Sequence, residues 1–134
     1  MRLRVIPVVL MKLLLDTHAL VWWASGDARL SKRASTALND PDNERFLSVA
    51  AAWEFNWIQA RGRVSIATPL DVILATAPVV CIGLPFDIHR YSSSLPPIHG
   101  DPIDRILVAQ ALRDDMVLVS RDGPVHRYPV KALW

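Results

Sequence analysis

Short apolar runs alternate along the chain with longer segments in which apolar residues recur at helical spacing. The runs predict strands at residues 12–15, 45–49, 79–84 and 116–119, and residues 128–134 predict a last short strand. The segments between them predict helices at residues 18–24, 30–38, 50–61, 69–77, 85–93 and 102–113. This alternation predicts an α/β fold, a three-layer α/β/α sandwich with a mostly parallel central sheet.

Residues at the ends of three predicted helices indicate how those ends are formed. Gly62 fits the position just after the third helix, where a left-handed conformation is common. Thr68 is predicted to cap the fourth helix, with Pro69 in its first turn. Asp101 precedes Pro102 and is predicted to cap the last helix rather than to bind a ligand.

The third helix predicts a buried stripe made of Ala50, Trp53 and Trp57, with Glu54 at its edge. Four of the tryptophans fit a core or a dimer face better than stacking on nucleic-acid bases, namely Trp22, Trp23, Trp53 and Trp57. Cys81 lies between two β-branched residues, so we expect it to be a buried, small apolar side chain.

Four acidic residues, each at the end of a core segment or on a helix face that looks inward, are the candidate chemistry: Asp16, Glu54, Asp104 and Asp122. Each has an ordinary alternative: Asp16 as a helix cap, Glu54 in a salt bridge, and Asp122 in a turn. Asp104 shares an inward helix face with several apolar residues and needs a partner. Because ligands gather at the carboxyl ends of parallel strands, the four acids are expected to converge.

Converging carboxylates need positive charge nearby. Two carboxylates about 4 Å apart repel by roughly 4 kcal/mol at an effective dielectric near 20. Mg²⁺ or Mn²⁺ prefers such oxygen ligands and can acidify a water that attacks a phosphodiester. Arg105 and Arg121 stand beside the acids in sequence. They are predicted either to bind a phosphate group or to pair with Glu54.

Composition narrows the function classes. The chain has 134 residues, 51% of them hydrophobic, which fits one domain and excludes disorder as its main state. A net charge of +2 permits a polyanionic partner without requiring one. A single cysteine excludes an internal disulfide, and a cytoplasmic location is expected. We interpret residues 1–10, an apolar stretch too short to span a bilayer, as an N-terminal extension before a domain at residues 11–134.

Four segments, each containing one of the acids, resemble the motifs of PIN-domain ribonucleases of the VapC toxin type. They are residues 14–23, 48–54, 99–111 and 118–122, followed by Tyr128 and Trp134. The resemblance extends from Met11 to the end of the chain and implies a PIN-like fold.

The resemblance also implies a role for each residue in RNA cleavage that depends on Mg²⁺ or Mn²⁺. Asp16 and Asp104 would be direct metal ligands. Glu54 and Asp122 would bind the metal directly, bind it through water, or position the attacking water. The hydroxyls of Thr17 and Ser120 would orient carboxylates or waters.

The implied partners are an RNA substrate, a second copy of the chain in a homodimer, and a VapB-like antitoxin that blocks the site. Operator DNA would be bound only through the antitoxin, and no membrane is involved. The alternative is a catalytically silent PIN-like protein that acts through antitoxin or RNA binding.

Overall fold

The computed structural model describes residues 10–64, 66–98 and 100–134. Five strands form one sheet in the order β3-β2-β1-β4-β5, and every pair is parallel. The strands are β1 (Lys12–Leu15), β2 (Glu44–Ser48), β3 (Val80–Ile82), β4 (Val117–Val119) and β5 (Ala132–Leu133). The predicted parallel sheet is confirmed.

Helices connect the strands, as expected for parallel neighbours, which require long crossovers. They are α1 (Thr17–Ser25), α2 (Lys32–Asn39), α3 (Val49–Ala60), α4 (Leu70–Thr76), α5 (Ile88–Ser93) and α6 (Pro102–Asp114). A short 3₁₀ helix, Pro124–Arg127, lies between β4 and β5. No helix in the described ranges is long and apolar enough to cross a membrane.

The central strand shows that both faces of the sheet are covered. Leu13, Leu14 and Leu15 are consecutive and each is 0% exposed. Successive side chains of a strand point to opposite faces, so layers of helices must cover both sides. The predicted three-layer α/β/α sandwich is confirmed.

The strand order reverses direction at β1, and this reversal determines where a ligand can bind. The chain moves outward from β1 to β2 and β3, then crosses back to place β4 on the other side of β1. Leu15 of β1 is paired with Val119 of β4. In open parallel sheets the crevice beyond the carboxyl ends of two such strands is the usual ligand site.

Two of the three predictions for helix ends are confirmed, and one is wrong. Gly62 follows α3 with φ +65°, and Asp101 accepts hydrogen bonds from the first-turn amides of α6, as predicted. The prediction for α4 is wrong: Pro69 occupies the cap position and makes no side-chain capping bond, so Thr68 is not the cap. Pro69 has an extended ψ of 149°, and the helix begins at Leu70.

Two predictions of burial are also wrong. Trp53 and Trp57 of α3 are 56% and 46% exposed, whereas Ala50, Ala51 and Phe55 form the buried face. These two tryptophans are therefore not core residues. Cys81 is exposed because β3 forms one edge of the sheet and is poorly covered there.

The start of the chain is described only from residue 10 onward. Leu10 is exposed, and its amide donates a hydrogen bond to the carbonyl of Asp42. The interpretation of residues 1–10 as an extension otherwise falls outside the described residues.

Candidate active site

Asp16 directly follows β1 and faces the crevice beside β4. Its amide donates to the carbonyl of Val119, which extends the strand pairing by one residue. Its Oδ1 accepts a hydrogen bond from the amide of Ala19 at 2.7 Å, so Asp16 caps α1. The helix cap and the candidate ligand are therefore one carboxylate, and the two sequence interpretations do not compete.

Burial raises the pKa of Asp16 above its usual range. Hydrogen bonds from Ser120 and Ala19 and the nearby His18 act in the opposite direction, while the charge of Glu54 adds to the increase. Asp16 is therefore close enough to Glu54, on α3, for the two charges to interact.

Glu54 is held by the residue that follows Asp16. The hydroxyl of Thr17 donates to Glu54 Oε1 at 2.6 Å, and it lies 3.4 Å from the carbonyl of Ala51. Thr17 is 1% exposed. No lysine or arginine forms an ion pair with Glu54 within the described ranges. The salt-bridge alternative for Glu54 is therefore wrong. The carboxylate accepts a hydrogen bond from a buried hydroxyl instead of pairing with a cation.

Asp104 is a second acid of the site whose carboxyl group is strongly perturbed. Its pKa is raised to about 8, first by burial and then by the charge of Asp101. A hydrogen bond shared with Asp122 and the charges of Asp122 and Asp16 raise it further. Asp104 therefore interacts electrostatically with Asp101, Asp122 and Asp16, and shares a hydrogen bond with Asp122.

Asp101 is the member that sequence reasoning set aside. Its Oδ1 accepts from the amides of Ile103 at 2.8 Å and Asp104 at 3.3 Å, which confirms its role as a helix cap. Nevertheless its charge acts on Asp104. The sequence does contain a signal for this interaction, because Asp101 lies at the cap and Asp104 at the third position of the same helix.

Asp122 is oriented from the turn after β4. Its amide donates to Ser120 Oγ at 3.1 Å, and Ser120 is fully buried. His126 Nε2 lies 2.6 Å from the carbonyl oxygen of Ser120 and anchors the same turn. Ser120 thus contacts both Asp16 and Asp122, which fits the expected orienting role of its hydroxyl.

The donor set fits Mg²⁺ or Mn²⁺. In the described ranges no three His, Cys, Asp or Glu side chains form a group that could hold a metal as they stand. Magnesium, however, commonly binds through one or two carboxylates and keeps several waters. Burial first, and then the charges of neighbouring acids, raise the pKa of Asp104, and a bound cation would favour its deprotonated form.

The two arginines near the acids have different surroundings. Arg105 donates to the carbonyls of Ser92, Leu95 and Pro96 and to the hydroxyl of Tyr128. Its guanidinium is therefore engaged in holding the protein together. Arg121 is exposed, and its guanidinium carbon lies 5.6 Å from the centre of the Trp22 ring. Neither arginine pairs with Glu54, so that prediction is wrong for both.

Comparisons with known proteins agree with this architecture. A family model described as the PIN domain matches residues 13–131. Ribonuclease VapC22 of Mycobacterium tuberculosis is 33% identical over 123 residues, covering 87% of this chain and 92% of that protein.

Two solved structures share the fold. VapBC2 from Rickettsia felis, bound to a DNA fragment from its promoter, has a TM-score of 0.68 at 15% identity and covers 92% of this chain and 98% of that chain. VapC20 of Mycobacterium tuberculosis, a toxin that cleaves the sarcin–ricin loop, has a TM-score of 0.62 at 15% identity and covers 85% and 92%. The PIN model and the identity to VapC22 together show that the chain belongs to the PIN-domain family and, within it, to the VapC type of ribonuclease toxins.

Proposed function

We propose that this protein is a metal-dependent endoribonuclease and the toxin of a type II toxin–antitoxin module. One observation supports this proposal above the others. Asp16, Asp104 and Asp122 come from distant parts of the chain and meet at the reversal of strand order, where Asp104 has a pKa of about 8. Such a costly cluster of acids is typical of a functional site.

The proposed roles follow from the contacts of each side chain. Asp16 and Asp104 would hold the metal, as the family resemblance implies, and the charge of Asp16 acts on Asp104. Asp122 would bind from its fixed turn and hold Asp104 in orientation through their shared hydrogen bond. Glu54, whose Oε1 accepts a hydrogen bond from the Thr17 hydroxyl, would position the attacking water.

A bound Mg²⁺ or Mn²⁺ supplies an acidified water and offsets charge on the phosphoryl oxygens. The side chains of the protein would supply orientation and charge balance around this ion. Asp104 would release its proton when the ion binds, because the cation offsets the burial and the repulsion that raise the pKa of this carboxyl.

The sharpest test replaces Asp104 by asparagine, which keeps the shape of the side chain and removes its charge. We expect the kcat of purified Asp104→Asn protein on RNA with Mn²⁺ to fall at least about 100-fold. Losses of up to about this size are known even for residues that only hydrogen-bond to a metal ligand. Asp115→Asn is the matched control, since Asp115 ends the same helix and its side chain is 85% exposed.

Circular dichroism and thermal melting check that each variant is folded. Equal cleavage by wild type and Asp104→Asn, in preparations free of other nucleases, would contradict the proposal. No cleavage by the wild type would favour the alternative, a silent PIN-like protein that acts through antitoxin or RNA binding.

The proposal includes the partners implied by the family. A VapB-like antitoxin would block the site and connect the toxin to operator DNA, as a cytoplasmic complex. The relative from Rickettsia felis, a VapBC pair on promoter DNA, supports this assignment. A homodimer is supported by the exposed apolar residues Val49, Trp53 and Trp57, which recur every four residues along α3.

A further inference from the structure

A cleft of about 400 Å³ opens beside the clustered carboxylates, beyond the ends of β1 and β4. Its volume lies within the range of pockets that hold small ligands. Carboxylates form one part of its wall, while basic and aromatic side chains form the rest. The lining residues are Asp16, His18, Trp22, Arg121, Asp122 and Gly123. The cleft is therefore lined both by carboxylates of the candidate site and by the guanidinium of Arg121.

Two arginines lie over the same tryptophan ring, but only one is neutralised by an acid. The guanidinium carbon of Arg29 is 5.1 Å from the centre of the Trp22 ring, and that of Arg121 is 5.6 Å away. Arg29 is tied to Asp27 by two hydrogen bonds of 3.0 and 2.8 Å. Arg121 forms no hydrogen bond or ion pair to any side chain or backbone group in the described part of the chain.

The position of Arg121 distinguishes it from a typical solvated surface charge. The Trp22 ring is 8% exposed and therefore gives the guanidinium a fixed, apolar support. A guanidinium presents its N–H groups in a planar fork that matches two oxygens of a phosphate. The neighbouring carboxylates would repel a polyanion, so a cation in the same cleft is needed to hold one there.

Resting on the function proposed above, we propose that this cleft binds the phosphate next to the scissile phosphodiester of a single-stranded RNA and that Arg121 is its contact. Trp22 supports the guanidinium from below, and His18 lines the cleft beside it at 5.5 Å between ring centres. Arg121 then contributes to substrate affinity, while the carboxylates hold the metal and position the attacking water.

The test measures RNA affinity separately from cleavage. Fluorescence anisotropy would follow the binding of a labelled, mixed-sequence, single-stranded RNA to protein carrying Asp104→Asn, with and without a second substitution. We expect Arg121→Gln to weaken binding about 5- to 10-fold. It should also lower the slope of log K against log salt by about 0.7, the value for one lost phosphate contact on a single strand.

Arg29→Gln is the matched control, because Arg29 lies over the same ring but is neutralised by Asp27. It should leave both the affinity and the salt slope unchanged. In the otherwise unmodified protein, Arg121→Gln should raise KM by a similar factor and change kcat by less than about 2-fold.

The outcomes separate this inference from the proposed function. If the wild type cleaves RNA and Arg121→Gln keeps its affinity, salt slope and KM, the role of Arg121 is overturned and the nuclease assignment stands. If no variant cleaves but Arg121→Gln still weakens RNA binding, the nuclease assignment fails and the phosphate contact stands. Loss of antitoxin affinity with unchanged RNA affinity would assign Arg121 to the antitoxin and overturn the inference.

Discussion

At the residue scale, Asp104 connects the chemistry of the site to the stability of the fold. Its pKa is about 8 in the folded protein, compared with 3.8 for an ordinary aspartate. At any pH above the pKa of this group in the unfolded chain, the folded protein must either keep the carboxyl protonated or bear a free-energy penalty for its charge. Stability attributable to this group falls as pH rises from about 4 to 8 and is constant above that range.

We predict that the metal-free protein loses free energy of unfolding between pH 5 and 8, measured by urea denaturation. The slope should stay below the roughly 1.4 kcal/mol per pH unit of one full proton, because water reaches part of the carboxyl. Asp104→Asn should reduce this slope, since the amide does not titrate, and the part that remains belongs to Asp16, whose pKa is also raised by burial. Added Mn²⁺ should reverse the slope in the wild type, because it binds the deprotonated carboxylate.

Two observations would contradict this prediction. One is a wild-type profile that is flat over the same pH range without metal. The other is an Asp104→Asn profile as steep as that of the wild type, which would assign the pH dependence to other groups.

At the element scale, Arg105 joins segments that carry the site. Its Nη1 donates to Pro96 O at 3.0 Å and to the Tyr128 hydroxyl at 3.2 Å. Its Nη2 donates to Ser92 O at 2.9 Å. One guanidinium therefore links α6, which carries Asp104, to the end of α5 and to the segment after the 3₁₀ helix.

Arg105→Lys should lower the free energy of unfolding by about 2–3 kcal/mol, because an ammonium cannot reach acceptors on separate segments. Arg113→Lys is the control on the same helix, where the arginine makes surface ion pairs with Asp87 and Asp114. Its effect should be smaller, since exposed pairs contribute little. Equal effects of the two substitutions in urea denaturation would show that Arg105 is not a structural link.

The elements also show what the sequence could and could not predict. β1 was predicted at its actual bounds because burial on both faces leaves an unambiguous apolar run, whereas β3 and β4 are shorter than the predicted strands at residues 79–84 and 116–119. The stripe on α3 was predicted wrongly because apolar residues surround that helix, so periodicity could not select its inner face. Cys81 was misplaced because strand order, which no local pattern encodes, puts β3 at an edge.

The candidate site shows the same limit. The four acids could be identified from the sequence because each follows an apolar core segment or lies on one. The hydrogen bond from Thr17 to Glu54 and the effect of Asp101 on Asp104 depend on side-chain geometry across elements. Those contacts are not specified by spacing along the chain.

At the scale of the whole molecule, the exposed tryptophans of α3 predict self-association. Trp53 and Trp57 are stacked, with ring centres 5.2 Å apart. Replacing both by serine should raise the dissociation constant of the proposed homodimer at least about 30-fold in sedimentation velocity, as expected for the loss of an aromatic contact worth about 2 kcal/mol.

Val72→Ser is the control, because Val72 is an apolar residue on α4 that is 53% exposed. It should leave the dissociation constant unchanged. A double tryptophan variant that sediments like the wild type at every concentration would place the dimer contact elsewhere.

The order of the strands has a consequence for synthesis on the ribosome. The central strand β1 is made early, but Leu14 finds one of its partners, Leu118, only near the end of the chain. Asp16 therefore emerges long before Asp104 and Asp122 exist to join it. A nascent chain that is truncated before β4 lacks Asp122, so it cannot assemble the acidic cluster on which the proposed nuclease activity depends.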